Sequence, residues 1–501
     1  MAKYKSLVRA LLAEKKLTKK KVELIKRKWA KKQGINLPLS SDILKTLTPA
    51  QKKKLRKVLV TKPAKTISGV SVIAIMAKPA PCPGNCSYCP KGSEAPQSYT
   101  GHEPATMRAR RNKYDPYKQV KNRLNQLEAV GHSTDKNELI IMGGTFPALP
   151  WKYQKQFVKR AFDAFNRQTS KTLRDAHKKN ETAKRRVVGL TIETRPDHLD
   201  INKLLKLGTT RVEIGVQTVY DKILEGVMRG HNTEETIIAT RMLKDAGLKV
   251  LYHMMPNLPG SNSKKDERAF KKIFKNKKFK PDMLKIYPTL VIKGTKLYDV
   301  WKAGKYKAMT DKQLFTFLKK VMDICPEYVR IMRIQRDIPA NFIEAGPTKS
   351  NMRQEVDKTI KKSKEIRFRE AGHVFLRTKK TPKKISLNVK KYKASKGTEY
   401  FISVEDKKQN ILLGFLRLRL PPEQNIAFVR ELHVYGKALP IGARGEIQHS
   451  GWGKMLMVKA EELTKKNKRN KLLVTSGIGV REYYRKLGYK LKDPYMSKLI
   501  S

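Results

Sequence analysis

The chain has 501 residues, 39% of them hydrophobic, which is enough for two or three domains with full cores and excludes a disordered chain. Lysine and arginine number 110 against 44 aspartate and glutamate, a formal charge of +66; this points to a polyanionic partner such as nucleic acid, with compositional drift toward lysine as the bland reading. Four cysteines, three of them clustered, exclude a disulfide framework; no apolar leader and no run of about 18 apolar residues occurs, so a cytoplasmic chain without a membrane span is expected.

In chain order, residues 1–65 form a basic, helix-prone region. Leu7, Leu11, Leu12 and Leu17 recur near helical spacing, followed by Val22, Leu24 and Ile25, while Lys19, Lys20, Lys21, Lys26, Arg27, Lys28, Lys31 and Lys32 load the polar faces. These cations read either as a solvated helix face or as a phosphate-binding arm. Residues 66–345 alternate short apolar runs with amphipathic stretches. Strands are expected at 70–76, 138–142, 187–192, 211–215, 249–253 and 283–286, with helices between them such as 117–130 and 233–246. Six such units indicate a parallel sheet in an open (β/α)6 barrel, an α/β architecture whose chemistry sits at the carboxyl ends of the strands.

The loop after the first strand carries Cys82-Pro-Gly-Asn-Cys86-Ser-Tyr-Cys89. Three thiolates at C-x3-C-x2-C spacing can hold three irons of a [4Fe-4S] cluster and leave the fourth iron open, as in radical S-adenosylmethionine (SAM) enzymes. Zinc wants four ligands, and only Cys325 remains, far along the chain. Tyr88 fits either an aromatic packed on adenine or a hydrophobic plug. Gly143-Gly144 ends the second strand, where glycines let a ligand approach the backbone; in radical SAM enzymes this place binds the methionine amino group of SAM, and an ordinary turn is the alternative. Glu193 and Arg195 end the third strand and Gln217 the fourth, polar groups suited to the ribose and carboxylate of SAM.

Residues 346–395 are lysine-rich, hold no strong period and read as a linker or a small docking element. Residues 396–501 alternate strands (400–404, 410–419, 427–434, 471–476) with a helix from Gly453, a compact α+β domain. There Gln448-His449-Ser450-Gly451-Trp452-Gly453 opens the helix. A glycine-containing loop at a helix start presents N–H groups to a pyrophosphate, as in GNAT acetyltransferases that bind acetyl-CoA; an N-capped surface helix is the alternative. The strand Glu431–Tyr435 before it and Tyr483-Tyr484-Arg485 after it fit the GNAT order.

A radical SAM barrel joined to a GNAT domain resembles the catalytic subunit of Elongator and its stand-alone archaeal, bacterial and viral relatives. The resemblance spans residues 62–499 and rests on segments such as Thr66-Ile67-Ser68-Gly69-Val70, Gln97-Ser98-Tyr99-Thr100-Gly101, Met142-Gly143-Gly144-Thr145-Phe146, His253-Met254-Met255-Pro256 and Arg430-Glu431-Leu432-His433-Val434-Tyr435-Gly436. It implies C5 carboxymethylation of the wobble uridine, position 34, in the anticodon stem-loop of tRNA. The radical from SAM would take hydrogen from the methyl of acetyl-CoA, the resulting carbon radical would add to the base, which must leave its stack, and loss of an electron and a proton with thioester hydrolysis would leave the carboxymethyl group. It further implies cluster ligation by Cys82, Cys86 and Cys89. Acetyl-CoA contacts would come from Lys136, Leu432, His433, Val434, Tyr435, Gln448, Gly451, Gly453, Lys454, Met455 and Tyr484. Lys285 and Tyr287 are implied as catalytic residues at the site mouth, the lysine polarising the thioester carbonyl. Elongator-like subunits or a second copy are further candidate partners; DNA and membrane are not expected.

Two departures stand out. Many relatives space the first two cysteines differently. Many also carry a C-x-C-x2-C zinc site in the linker, where this chain has Ser363 to Gly372 without cysteine, so no structural zinc is expected and packing around Phe368 with charge pairing takes its place. The competing function is a protein lysine acetyltransferase with a structural cluster and Glu431 or a water as base.

Overall fold

The apolar runs read from the sequence fold as strands, and a seventh joins them. The computed structural model describes residues 4–14, 16–59, 66–435 and 451–500. The first sheet is β1 (Ser71–Met76), β2 (Lys136–Met142), β3 (Arg186–Thr194), β4 (Arg211–Gln217), β5 (Lys249–Met254), β6 (Met283–Ile286) and β7 (Arg330–Ile334). These pair in chain order, every neighbour parallel, with no pair closing β7 on β1 among the described residues. The result is an open barrel, because each crossover carries its helix to the outer face. β7 escaped the sequence reading because Arg330 and Arg333 interrupt its apolar pattern. Folded, both are neutralised, Arg330 by Glu370 at 2.9 Å and Arg333 by Asp337.

Helix starts follow local chemistry. Asn232 and Glu235 form a capping box before the helix Thr233–Asp245, and Thr310 with Gln313 does the same for Asp311–Ile324. The helix Trp151–Asn166 turns Phe157, Val158, Ala161, Phe162 and Phe165 onto the sheet, a stripe at three- and four-residue spacing.

The second sheet contains β8 (Ser386–Ala394), β9 (Gly397–Asp406), β10 (Ile411–Leu420), β11 (Ile426–Val434), β12 (Lys471–Val474), β13 (Lys490–Lys492) and β14 (Tyr495–Leu499), in the order β13-β14-β12-β11-β10-β9-β8. It is mixed: β11 and β12 are parallel, the rest antiparallel. β8 lies inside the stretch read as linker; its lysines at 390, 391 and 393 hide an edge strand. Of the remaining linker, Phe368 is buried under Arg377, whose guanidinium lies 4.0 Å from the ring centroid. Buried Glu365 there accepts from the backbone N–H groups of Ile331 and Phe368 and pairs with Arg353 at 2.7 Å.

A β-bulge aims the second sheet at the barrel. Arg417 faces Glu431 and Leu418 faces Val429, so Arg430 is the extra residue. Its guanidinium meets Asp282 at 2.6 Å and Glu399 at 2.7 Å, both fully buried. Arg419 pairs with Glu399 and Asp245, Arg417 with Glu431 at 2.7 Å, and Lys244 lies 3.5 Å from both Asp282 and Glu399.

At the amino end, helices Lys5–Ala13, Lys19–Lys32, Ser40–Thr46 and Pro49–Leu59 share a small core of Leu7, Leu11, Val22, Ile43 and Leu55. Lys26 does not join the polar face: it is buried, bonded to Glu23 at 2.9 Å and within 3.4 Å of the Ser40 hydroxyl. Among the described residues no helix is long and apolar enough to cross a membrane.

Candidate active site

The cysteine loop leaves β1 and lies over the carboxyl ends of the barrel strands. Cys82, Cys86 and Cys89 are half-buried and free. The backbone N–H of Gly84 donates to Cys82 Sγ at 3.5 Å, and Arg229 Nη1 donates to Cys86 Sγ at 3.5 Å. Burial, followed by the neighbouring Cys86, pushes the Cys89 thiol up. Tyr88 is buried among Ile223, Val227, Met255 and Val291, which makes it a hydrophobic plug beneath the loop.

Each strand end adds a polar group to this mouth. Gly143 and Gly144 have φ of +118° and +76°, and a Cβ on Gly143 would fall 3.2 Å from the backbone nitrogen of Ala77. Glu193 ends β3 and accepts from Tyr99 at 3.2 Å and Lys285 at 3.0 Å. Gln217 ends β4 in left-handed backbone, φ +67°, and its Oε1 is buried without a partner. Arg195 is gripped by Asp197 at 2.9 and 2.6 Å, yet its Nη1 is also buried and unpaired, directly under Gly84. Unpaired buried donors and acceptors around a loop of three thiols are what an anionic cluster with a polar SAM molecule would satisfy.

Deeper in the barrel, Lys285 contacts Glu213 and Glu193, and His253 Nε2 lies 2.8 Å from Glu213. Burial works against the Lys285 charge, but Glu213, Tyr287 and Glu193 outweigh it and hold the ammonium above its ordinary range. Glu213 is likewise pulled below the usual carboxylate range by Lys285, His253 and Arg211 against the effect of burial. Glu193, Glu213 and His253 cluster closely enough to hold a metal ion, but Lys285 already supplies their cation. Tyr287 stands edge-on to His253, ring centroids 5.3 Å apart.

The opposite, amino ends of the strands border a second cavity of about 760 Å³, shared with the second sheet. The β11–β12 ladder stops at Val429–Val474, while β11 runs on to Val434 and opens onto this cleft. Leu432, His433, Val434, Tyr435, Gly451, Gly453, Lys454 and Tyr484 line it, and Lys136, the first residue of β2, faces them from the barrel. Burial pushes the Lys136 ammonium down. A Cβ on Gly453 would fall 2.6 Å from the Tyr483 hydroxyl, so glycine fixes this close approach. The helix Trp452–Lys466 starts here at Gly451, φ +82°, with no side-chain cap. Met455 lies on the exposed side of that helix, beside Leu387, and not in the cleft. Gln448 lies outside the described residues.

Sequence reasoning missed Arg229, Glu213 and the cleft residue Arg330. Glu213 lies inside β4 and Arg229 in a loop, and no spacing motif marks the role of either. Arg330 bonds the Tyr435 hydroxyl at 2.8 Å, across a separation no motif spans.

Residues 81–273 match the Radical SAM superfamily and residues 281–362 the Radical_SAM C-terminal domain. The fold and the three-cysteine mouth therefore define a radical SAM enzyme, a class whose cofactors are a [4Fe-4S] cluster and SAM. The chain is 50% identical to the tRNA uridine(34) acetyltransferase of Methanocaldococcus infernus, over 97% of this chain and 96% of that one. It is 40% identical to Elongator complex protein 3 of Homo sapiens, over 95% and 92%. The solved structure of archaeal Methanocaldococcus infernus Elp3 with N-terminus deletion (1-46) superimposes with a TM-score of 0.77 at 46% identity, covering 87% of this chain and all of that one. The chain belongs to the family of tRNA uridine(34) acetyltransferases and Elongator complex protein 3.

Proposed function

We propose that the protein modifies uridine 34 of tRNA, attaching at C5 a two-carbon unit from acetyl-CoA that hydrolysis leaves as 5-carboxymethyluridine. The observation that carries this reading is that one barrel bears a loop of three free thiols ringed by unpaired polar groups at its carboxyl end and a cleft lined by β11 at its amino end. The names of the relatives supply the substrate.

Cys82, Cys86 and Cys89 hold the cluster; Gly143 and Gly144 offer backbone groups to SAM, with Glu193, Arg195 and Gln217 around it. When bound, cluster and SAM together supply one-electron chemistry that abstracts a hydrogen atom. The open end of β11 and the first turn of the helix Trp452–Lys466 hold acetyl-CoA, the helix start facing the pyrophosphate. Lys285, kept charged by Glu213 and Glu193, serves as a cationic donor that polarises a carbonyl and not as a base. Tyr287 closes the same wall.

The lysine acetyltransferase reading is disfavoured at its base. Although burial raises it, Glu431 is bonded to Arg417 and held below the usual carboxylate range by Arg417 and Lys249, which makes it a poor proton acceptor.

Mass spectrometry of tRNA nucleosides after anaerobic reaction tests the proposal. Wild type should yield 5-carboxymethyluridine dependent on SAM, acetyl-CoA and reductant, and Cys86→Ala none. Acetylated lysine in a peptide substrate without SAM, and unmodified tRNA, would sink it. For the basic amino-terminal arm, reversing Lys19, Lys20, Lys21, Arg27 and Lys28 should weaken tRNA binding at least about 10-fold with iron content unchanged. Lys26 is left alone because its burial makes it structural.

A further inference from the structure

Beneath the cysteine loop lies a buried cation. Arg229 is buried, and among the described residues no Asp or Glu forms a salt bridge with its guanidinium; Asp197, whose charge also acts on it, is bonded to Arg195. A buried guanidinium needs hydrogen-bonded or anionic partners to offset its desolvation. The contacts Arg229 does make are directional. Nη1 donates to Cys86 Sγ at 3.5 Å, Nη2 donates to the Gly215 carbonyl at 2.8 Å near the end of β4, and Nε is buried without a partner.

The local chain is shaped to deliver this group. Left-handed backbone at Met228 (φ +54°) and Gly230 (φ +72°) brackets Arg229, whose own N–H donates to the Leu224 carbonyl at 2.9 Å. The Ser87 N–H donates to the Val227 carbonyl at 3.0 Å, tying the cysteine loop to the same segment. A Cβ on Gly215 would fall 2.5 Å from Nη2, so only glycine in β4 leaves room for the fork.

We infer that Arg229 is a positioning residue of the iron–sulfur cluster, fixing the Cys86 thiolate and raising the cluster's reduction potential. This rests on the proposed ligation by Cys86. A cluster carrying three thiolates gains one negative charge when a low-potential one-electron reductant donates to it. A fixed cation with an N–H to sulfur stabilises that reduced form more than the oxidised one. The same bond joins the loop to β4, so cluster geometry is coupled to the strand that ends in Gln217.

The test compares wild type with Arg229→Gln, Arg229→Lys and Gly215→Ala, each reconstituted anaerobically. Iron and sulfide content, thermal melting, and the midpoint potential from an EPR-monitored dithionite titration are read. Full iron with a more negative midpoint in Arg229→Gln and Gly215→Ala, and a smaller shift in Arg229→Lys, supports the inference. Loss of iron from Arg229→Gln with unchanged melting also supports it, because the thiolate has then lost its anchor. Full iron with an unmoved potential overturns it, as does a collapse of melting in all three variants, which assigns the arginine to the fold alone. Full iron in Cys86→Ala would instead overturn the ligation reading beneath it.

Discussion

At the carboxyl ends of the barrel strands polar groups stay open, whereas at the amino ends, where the second sheet docks, charge meets charge. Arg195 Nη1, Gln217 Oε1 and Arg229 Nε wait buried and unpaired around the cysteine loop. At the other end Asp282 and Glu399 are enclosed by Arg430, Arg417, Arg419 and Lys244. The first arrangement suits a guest that supplies the missing partners; the second, beside the cleft, holds two sheets together. The difference teaches that one barrel can leave polar groups unpaired around its cysteine loop while a buried charge network holds its other end.

The sharpest break of this comparison comes from Cys89→Ala. It should abolish iron–sulfur absorbance while leaving melting and acetyl-CoA affinity unchanged, since Cys89 belongs to the open end. A parallel loss of acetyl-CoA binding would show that the two ends are not independent. Next in size is Arg430→Met, which leaves Asp282 and Glu399 buried with fewer counter-charges. It should cost about 3–5 kcal/mol in urea unfolding. A cost under about 1 kcal/mol would mean that the remaining cations suffice and the docked end is not locked by this residue. Smaller again is Gly453→Val: with the Tyr483 hydroxyl 2.6 Å from any Cβ, the Tyr483 ring lining the cleft must swing aside. Acetyl-CoA affinity should fall at least about 10-fold, about 1.4 kcal/mol, with iron content intact.

The open end was legible in the sequence and the locked end was not, for a physical reason. Candidate ligands for small cofactors sit in short segments at strand ends, so Cys82, Cys86, Cys89, Gly143, Gly144 and Gln217 stand out by local spacing, and the fold gathers them at one end of the barrel. The six strands carrying them were read from short, mostly apolar runs that polar residues such as Glu213 and Lys285 interrupt only singly. Counter-charges need only meet in space. Arg430 and Asp282 are separated by more than a hundred residues, and each looks like a solvated charge until folded. β7 and β8 were hidden by the same effect, their arginines and lysines breaking the apolar alternation. Gly451 and Gly453 were legible as a helix start, but the side of the helix that Met455 takes was not.

The smallest effect probes whether the locked end also excludes protons. His177 is buried with its ring edge-on to Phe162, centroids 4.6 Å apart, and Nε2 has no partner. Burial, then the Arg481 guanidinium, pushes its pKa from 6.5 down to about 3. The folded protein therefore keeps His177 neutral where the unfolded chain protonates it. Its contribution is complete above pH 6.5 and is lost as the pH falls from 6.5 toward 3. The slope is at most about 1.4 kcal/mol per pH unit for this one group. His231 and His373, also held low by burial, at about 3 and about 4, add slopes of the same sign. Replacing His177 with Gln, which keeps a donor for the Leu207 carbonyl, should flatten the fall in urea-unfolding free energy between about pH 6.5 and 5 by that one-group slope. An unchanged slope would mean that solvent reaches His177 and that the docked end admits protons as the open end does.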